Sequence, residues 1–352
     1  MIEFFEIKLT KDMIDAAVDS LENEKFVMGE SVFKFEDEFA RYTGTKFAIS
    51  VNSGNAALQL SLMSLGISKD HKVITSTNSF IASANCILSN GATPILCDIK
   101  EEDGNIDIST TNEKSDAIIP VHIYGNPCDM DTIKEKAEQE DIPIIEDSAQ
   151  AHGAEFNGEK VGSLGDVGCF SFYPTKNMTV GGDGGMVTTD NEEIAKKISS
   201  IRDNGRTDQR YEHDKLGFTM RLNSVNAAIG RIQLKYLDQW NFRKSEIAEI
   251  YRKNLTTDCI LPENEKGRSV YHQIVIKHEK RDEIKEHLTK NNIGTMIHYV
   301  IPIHQQPLYK DFNFNLPKSE KFVTEVLSLP SYPSLSDDEV KITCEKINEV
   351  LK

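Results

Sequence analysis

No stretch of this sequence is long and apolar enough to cross a bilayer, which takes about 18 or more consecutive apolar residues. The first residues, MIEFFEIKLTKDMID, lack the positive start and continuous apolar core of a secretory signal. The six cysteines form no C-x-x-C pair, so neither a zinc site nor a compact disulfide framework is expected. The G-x-G-x-x-G motif of dinucleotide-binding oxidoreductases is missing as well. We therefore expect a cytoplasmic protein without a metal site.

Basic residues are in the minority, with 40 Lys and Arg against 56 Asp and Glu and a formal net charge of -16. Such an acidic surface repels the phosphates of nucleic acids and anionic lipid headgroups, so we expect neither nucleic acid nor membrane among the partners. The length of 352 residues allows one large domain and one smaller one.

Short β-rich segments alternate with helical patterns over roughly the first 240 residues. Several of the β-rich segments are nearly continuous apolar runs, as in strands that helices cover on both faces. The predicted strands are 47–51, 72–75, 94–99, 117–124, 142–147, 168–172 and 185–189. This alternation predicts an α/β fold with a mainly parallel sheet.

The pattern changes in the last third of the chain. A long helix is predicted from Ser224, followed by a second one from about residue 242 to 255. A strand, a helix and an amphipathic final helix come after them. We therefore predict a large domain over residues 1–245 and a small C-terminal α/β domain over 246–352, with the extreme N-terminus packed against the small domain.

Asp147 closes the apolar run PIIED and should lie at the carboxyl end of a buried strand, where open α/β sheets bind ligands. A carboxylate buried there needs a partner, because burial without one costs several kcal/mol. The protonated ring nitrogen of pyridoxal phosphate is one suitable cation. A carboxylate that only caps the next loop is equally compatible with this segment.

Lys176 lies between a predicted strand and a glycine-rich turn, in GCFSFYPTKNMTVGGDGG. Most lysines are solvated surface residues. In a constrained and partly dry loop, however, a lysine can lose its proton and form a Schiff base with an aldehyde. Ser171, five residues earlier, could offer its hydroxyl to the phosphate of the same cofactor.

Two further segments follow predicted strand ends. Ser53, Gly54 and Asn55 precede a helix, and backbone N–H groups at a helix N-terminus attract anions. Phe80 could stack on a planar ring, although a phenylalanine in isolation is more often a packing residue of the core or of a helix start.

These motifs together resemble the sugar aminotransferases of the DegT/DnrJ/EryC1/StrS family. The resemblance runs through the whole chain in order, and IIEDSAQAHGA and GSLGDVGCFSFYPTKNMTVGGDGGMV are its most specific parts. It implies the pyridoxal-phosphate-dependent transferase type I fold, with a mainly parallel seven-stranded sheet in the large domain.

The resemblance also implies roles for individual residues. Lys176 would bind the cofactor and shuttle the proton, Asp147 would pair with the ring nitrogen, and Gln150 would hydrogen-bond the ring hydroxyl oxygen. The remaining implied contacts are to the ring or phosphate for Phe80, Gly54, Asn55 and Ser171, and to the substrate for Arg221, His298, Tyr299 and His304.

Family members form homodimers in which both subunits contribute to each active site. Arg221 belongs to a segment, GFTMRLN, that corresponds to one reaching the cofactor of the other subunit. The family usually has asparagine two residues before this arginine, as a phosphate ligand across the interface. This chain has Thr219 there, so we expect a weaker contact with the phosphate.

The activity implied by the resemblance is transfer of an amino group from L-glutamate to a keto-sugar carried by a nucleotide. The GGDGG sequence after Lys176 favours a 3-keto over a 4-keto sugar. Two alternatives share the fold: a pyridoxal-phosphate-dependent sugar-nucleotide dehydratase, which Lys176 argues against, and a non-catalytic sugar-nucleotide-binding protein.

Overall fold

The computed structural model describes residues 1–209, 211–257, 259–261 and 263–352. In this part of the chain, short strands and helices alternate as the sequence predicts. The strands are β1 (Phe47–Val51), β2 (Lys72–Ser76), β3 (Thr93–Cys97), β4 (Ala117–Ile119), β5 (Ile145–Asp147), β6 (Glu155–Phe156), β7 (Glu159–Lys160), β8 (Val167–Ser171), β9 (Gly185–Thr189), β10 (Gly267–Arg268), β11 (Ile274–Lys277) and β12 (Val326–Leu329). The helices are α1 (Lys11–Asn23), α2 (Glu30–Thr43), α3 (Gly54–Ser64), α4 (Ala82–Ser89), α5 (Met130–Glu140), α6 (Glu192–Ile201), α7 (Ser224–Asn254), α8 (Arg281–Lys290), α9 (Pro317–Glu325) and α10 (Asp337–Leu351).

Seven strands form the main sheet in the order β1-β9-β8-β5-β4-β2-β3. Two parallel bridges, Ile118 to Ile144 and Val121 to Asp147, join β4 and the residues after it to β5. Strand β9 is antiparallel to both of its neighbours, whereas the other neighbouring strands are parallel. The predicted mainly parallel seven-stranded sheet is therefore confirmed.

Helices cover the sheet because its strands are apolar on both faces. Helices α3 and α6 pack with β1, β8 and β9 in one hydrophobic core, whereas α2 and the first half of α7 pack on the opposite side. Because parallel strands end at a common edge, β2 and β5 bring the residues that follow them together at that edge.

Two of the predicted strands are shorter than the apolar runs suggested. The run 117–124 forms a strand only over Ala117–Ile119, because Pro120 has no N–H to donate and Tyr124 has a φ of 60° in a 3₁₀ turn. The run 142–147 is a strand only from Ile145 onward. This second run contains Pro143, which likewise has no N–H to donate to a neighbouring strand.

The prediction of two helices between Ser224 and residue 255 is wrong, because α7 is one helix of 31 residues. The polar residue Asn241 near its middle is buried. Its side chain donates to the carbonyl oxygen of His152 at 2.8 Å and accepts from the amide of Asn177 at 2.8 Å. A polar residue at this place suggests the end of a helix. The hydrogen bonds of Asn241 to distant parts of the chain take the place of hydrogen bonds to water, and the local sequence pattern does not reveal them.

Residues near the C-terminus form a second hydrophobic core around the antiparallel pair β11 and β12, with α8 and α10. Ile2 belongs to this core and forms a parallel bridge with Ile293. The second half of α7 enters the same core through Ile247 and Tyr251, so the predicted domain boundary at residue 245 lies inside one continuous helix. The division into two domains at that point stays a prediction.

Candidate active site

Asp147 is the last residue of β5 and is buried, with 4% of its surface exposed. The hydroxyl of Ser83 donates to its Oδ2 at 2.6 Å, and the backbone N–H of Ala149 donates to its Oδ1 at 3.2 Å. Desolvation raises the pKa of this carboxyl group, and the hydrogen bond from Ser83 and the charge of Lys176 act in the opposite direction. A cation placed next to Asp147 would therefore be stabilised.

Lys176 lies in the loop between β8 and β9, and its backbone N–H donates to the carbonyl oxygen of Tyr173 at 2.9 Å. Burial lowers the pKa of its ammonium group to about 8, and the negative charge of Asp147 partly opposes this shift. The next residue, Asn177, donates to the carbonyl oxygen of Val270 at 2.8 Å and accepts from the buried ammonium of Lys244 at 3.3 Å. The loop thus holds a lysine with a lowered pKa in a fixed position.

The segment Ser53–Asn55 forms the predicted helix start. Ser53 is the N-cap of α3, and its hydroxyl accepts from the N–H of Ala56 at 3.1 Å. Gly54 lies against Ser171 at the end of β8, and a Cβ added to Gly54 would be only 2.6 Å from the Ser171 Cβ. The N–H groups of Gly54 and Asn55 lie in the first turn of the helix, at the positive end of its dipole, and suit an anion such as phosphate.

Gln150, Tyr299 and Phe80 form a third part of the site. The Gln150 Oε1 accepts from the backbone N–H of Tyr124 at 2.8 Å, and its Nε2 donates to the Tyr299 hydroxyl at 3.2 Å. The Phe80 ring centroid lies 6.3 Å from that of Tyr299, and Phe80 is 58% exposed. An exposed phenylalanine at this edge of the sheet leaves one ring face free to contact a planar ligand.

The two predicted substrate histidines differ in their surroundings. His298 hydrogen-bonds the Ser328 hydroxyl at 2.9 Å, and burial together with the charge of Lys176 lowers its pKa to about 4. His304 is buried, and its two ring nitrogens lie 2.7 Å from the Thr77 hydroxyl and 3.1 Å from a Glu320 carboxylate oxygen. Both ring nitrogens of His304 already have partners within the protein, which disfavours a contact with the substrate. That contact stays a prediction.

The segment with Thr219 and Arg221 runs past the start of α3, since the carbonyl oxygen of Met220 accepts from the N–H of Asn52 at 2.9 Å. Arg221 forms an ion pair with Asp203 at 2.7 Å. Thr219 is exposed, and its hydroxyl donates to the Asn204 Oδ1 at 3.0 Å. Because a hydroxyl has a single hydrogen to donate, this contact competes with donation to a phosphate.

The sequence motifs did not indicate a cavity of about 200 Å³ beside Lys176. It lies between the N-terminal segment, the Lys176 loop, α7 and the residues after β12, which come from distant parts of the sequence. Its lining residues are Phe5, Glu6, Ile7, Lys8, Thr10, Pro174, Thr175, Lys176, Asn177, Thr179, Gln233, Trp240, Lys244, Ser331, Tyr332, Pro333 and Ser334. The one related expectation was that the extreme N-terminus packs against the C-terminal part of the chain, and both contribute residues to this cavity.

No group of three or more His, Cys, Asp or Glu side chains within residues 1–209, 211–257, 259–261 and 263–352 could hold a metal ion. In the same ranges, no helix has the length and apolarity needed to cross a membrane.

Comparison with known proteins identifies the family. The model of the DegT/DnrJ/EryC1/StrS aminotransferase family matches residues 8–348. The chain belongs to this family. The DegT/DnrJ/EryC1/StrS assignment confirms the predicted resemblance, the type I fold and the expectation of an aminotransferase.

Three individual proteins illustrate this family membership. The chain is 38% identical to the dTDP-3-amino-3,6-dideoxy-alpha-D-galactopyranose transaminase of Aneurinibacillus thermoaerophilus, over 99% of each chain. The solved structure of S. venezuelae DesV in complex with a ketimine intermediate has a TM-score of 0.96 and 35% identity, and covers 100% of this chain and 98% of DesV. The putative sugar aminotransferase Spr1654 of Streptococcus pneumoniae, solved in its PLP form, has a TM-score of 0.93 and 26% identity over 99% and 98% of the two chains.

Proposed function

We propose that this aminotransferase uses pyridoxal phosphate to move an amino group from L-glutamate to a keto-sugar linked to a nucleotide. The observation that carries the proposal is the convergence of Lys176 and Asp147 on one buried site at the carboxyl edge of the sheet. The pKa of the Lys176 amine is lowered to about 8, so this amine can react with an aldehyde. The pKa of the Asp147 carboxyl group is raised, so its ionised form needs a cation beside it.

The residues of the site match the parts of pyridoxal phosphate. Asp147 would hold the ring nitrogen, Gln150 the ring hydroxyl oxygen through its Nε2, and Phe80 one face of the ring. The N–H groups of Gly54 and Asn55, with the Ser171 hydroxyl, would hold the phosphate. Spr1654, which has the same fold, was solved with this cofactor, and that supports the assignment.

Lys176 has two tasks in the proposed reaction. Its neutral amine would hold the aldehyde carbon of the cofactor covalently and, once released, would move a proton between the substrate carbon that bears the amino group and the former aldehyde carbon of the cofactor. The bound cofactor supplies an electron sink for the negative charge that develops at the substrate carbon when it loses its proton. Proton transfer by a well-placed base contributes roughly 10²–10⁴ in rate, and a pKa near the working pH favours it.

The cavity beside Lys176 is the proposed place of the substrates. Lys8 lines it and pairs with Glu6 at 2.6 Å, and the Lys8 ammonium group would complement the anionic glutamate and sugar nucleotide. Outside this cavity, the Tyr299 hydroxyl accepts from Gln150, and His298 lies close enough to Lys176 for the lysine charge to lower the His298 pKa. The name of the Aneurinibacillus relative, a 3-amino-sugar transaminase, supports the 3-keto sugar that GGDGG favours.

The proposed assembly is a homodimer, located in the cytoplasm with the sugar-nucleotide pool. Phe80, Val300 and Ile301 are exposed apolar side chains next to the site, which a partner subunit would cover. Arg221 and Thr219 would then reach the site of the partner.

The test is a reaction of the purified protein with glutamate, pyridoxal phosphate and a panel of 3-keto and 4-keto sugar nucleotides, followed by mass spectrometry. The proposal expects 2-oxoglutarate and an amino sugar. A deoxygenated sugar would identify a dehydratase instead, and binding of the nucleotide without conversion of glutamate would identify a non-catalytic protein. Lys176→Ala is the control, and we expect it to lose turnover by at least about 10³-fold, because both base and covalent link are gone.

A further inference from the structure

Ser83 forms a hydrogen bond with the buried carboxylate of Asp147. It lies in the first turn of α4, three residues after Phe80, and is 1% exposed. A serine in the first turn of a helix commonly bonds to nearby backbone groups. The Ser83 hydroxyl instead donates to the Asp147 Oδ2 at 2.6 Å, across 64 residues of sequence. This contact is therefore one that the tertiary fold creates.

A second buried hydroxyl continues the chain of hydrogen bonds. The Ser79 Oγ lies 2.7 Å from the Ser83 Oγ, and Ser79 is 4% exposed. When the Ser83 hydrogen points to Asp147, the Ser83 oxygen can only accept, so Ser79 is the donor of this pair. The two serines thus form a directed relay, Ser79 to Ser83 to Asp147, in a place where water is excluded.

The relay favours one protonation state of Asp147. A hydroxyl that donates to a carboxylate stabilises the ionised form and opposes the effect of desolvation. It also fixes the plane of the carboxylate, since Ser83 binds Oδ2 while the N–H of Ala149 binds Oδ1. Each oxygen keeps a further lone pair for a cation.

We propose that Ser83 is a positioning residue that keeps the Asp147 carboxylate ionised and oriented toward the ring nitrogen of the cofactor, with Ser79 fixing the direction of the Ser83 hydroxyl. This inference rests on the proposed pyridoxal-phosphate function. The segment from Ser79 to Ser83 then contributes to cofactor binding in two ways. Phe80 would contact the face of the ring, and the two hydroxyls would hold the aspartate that binds the ring nitrogen. The proton shared by Asp147 and the ring nitrogen stays on nitrogen as long as Ser83 donates.

The test uses the full-length enzyme loaded with pyridoxal phosphate that carries ¹⁵N in the ring. The variants are Ser83→Ala, Ser83→Cys and Ser79→Ala. The matched control is Ser64→Ala, because Ser64 is equally buried but donates to a backbone carbonyl oxygen within α3 at 2.8 Å. The readouts are the ¹⁵N chemical shift of the ring, which reports its protonation, and the cofactor dissociation constant from equilibrium dialysis.

We expect the wild-type protein and Ser64→Ala to show a protonated ring nitrogen. In Ser83→Ala the ¹⁵N signal should move toward the unprotonated position, and the cofactor should bind about 10-fold more weakly, as expected for one lost hydrogen bond to a charged group. Ser83→Cys, with a weaker donor of similar size, should lie between the two, and Ser79→Ala should give a smaller shift in the same direction.

A Ser83→Ala protein with the wild-type ¹⁵N shift and cofactor affinity would overturn the inference, as would an equal effect in Ser64→Ala. If Ser83→Ala fails to fold, the shift in Ser79→Ala decides, and its absence contradicts the relay. A wild-type protein that binds no cofactor at Lys176 would instead contradict the proposed function itself, so the two failures are distinguishable.

Discussion

At the scale of single residues, the site depends on two side chains whose burial changes their chemistry in complementary ways. Desolvation makes the Lys176 amine easier to deprotonate and the Asp147 carboxyl harder to ionise. Their opposite charges moderate both effects. A half-buried lysine close to a buried aspartate, with space beside the lysine, favours a functional role over a role in packing.

Capture of pyridoxal phosphate by the cofactor-free protein should depend on pH through Lys176. Only the neutral amine attacks an aldehyde, and burial places its pKa at about 8 instead of 10.5. The neutral fraction therefore rises from about one tenth at pH 7 to about nine tenths at pH 9. Borohydride trapping followed by peptide mass spectrometry measures the initial rate at each pH.

The same experiment on Asp147→Asn separates the effect of burial on the Lys176 pKa from the effect of the Asp147 charge. Since the charge of Asp147 raises the Lys176 pKa, its removal should move the midpoint of the capture curve to lower pH. A wild-type midpoint near 10 would contradict the assignment, and Lys176→Ala should trap no cofactor at any pH.

The sequence predicts Lys176 and Asp147 because each follows an apolar run that ends at the edge of the sheet. Ser83 and Lys244 could not be found in this way. A serine in a helical segment and a lysine in an amphipathic helix carry no local signal of their contacts. Ser83 meets Asp147 only because β2, which precedes α4, and β5 end at the same edge of the sheet.

At the scale of secondary-structure elements, the turn from β1 into α3 does most to shape the proposed phosphate site. Ser53 caps the helix, and Gly54 approaches Ser171 closely enough that a Cβ has no room. The motif predicted the helix start correctly, because strand, capping residue and helix are contiguous in sequence. The continuity of α7 was not predictable, because it depends on partners of Asn241 that lie far away in sequence.

Gly54→Ala should therefore weaken binding of the phosphate selectively. The added Cβ pushes α3 away from Ser171 and disturbs the N–H groups of the first turn. We expect the affinity for pyridoxal phosphate to fall about 10-fold or more, as for the loss of a charge-assisted hydrogen bond, and the affinity for pyridoxal to change little. Equilibrium dialysis with the two ligands gives both values.

Gly44→Ala is the control for this substitution. Gly44 has a φ of 83° at the end of α2, and a Cβ there would contact nothing. Its replacement should lower the free energy of unfolding by about 1 kcal/mol through backbone strain, without changing the preference for the phosphorylated ligand. Equal losses for both ligands in Gly54→Ala would contradict a phosphate site at this turn.

At the scale of the whole molecule, one face of the protein combines an open site with exposed apolar side chains. Phe80 and Val300 are more than half exposed, and both lie next to residues of the proposed cofactor pocket. The predicted fold class follows from the alternation of strands and helices. The cavity beside Lys176 does not, because it forms only when the N-terminal segment and the residues after β12 meet α7.

A charge on this face should weaken the proposed dimer. In Val300→Glu, a carboxylate would be buried without a partner in the interface, at a cost of about 3 kcal/mol or more, which weakens association about 100-fold. Analytical ultracentrifugation should show the wild-type protein at twice the chain mass of 39.6 kDa and the variant shifted toward the monomer. Ile342→Glu, at a similarly exposed apolar residue of α10, should remain dimeric. A monomeric wild-type protein would contradict the shared active site.

The position of Trp240 gives this enzyme an intrinsic optical reporter. It is the single tryptophan of the sequence, it stacks on Tyr236 with ring centroids 5.7 Å apart, and it lines the cavity beside Lys176. All indole fluorescence of the protein therefore originates at the cavity beside Lys176, the proposed place of the substrates. Cofactor on Lys176 should quench this emission by energy transfer, and a nucleotide entering the cavity should change its intensity or wavelength, so that both binding events can be followed in unlabelled protein.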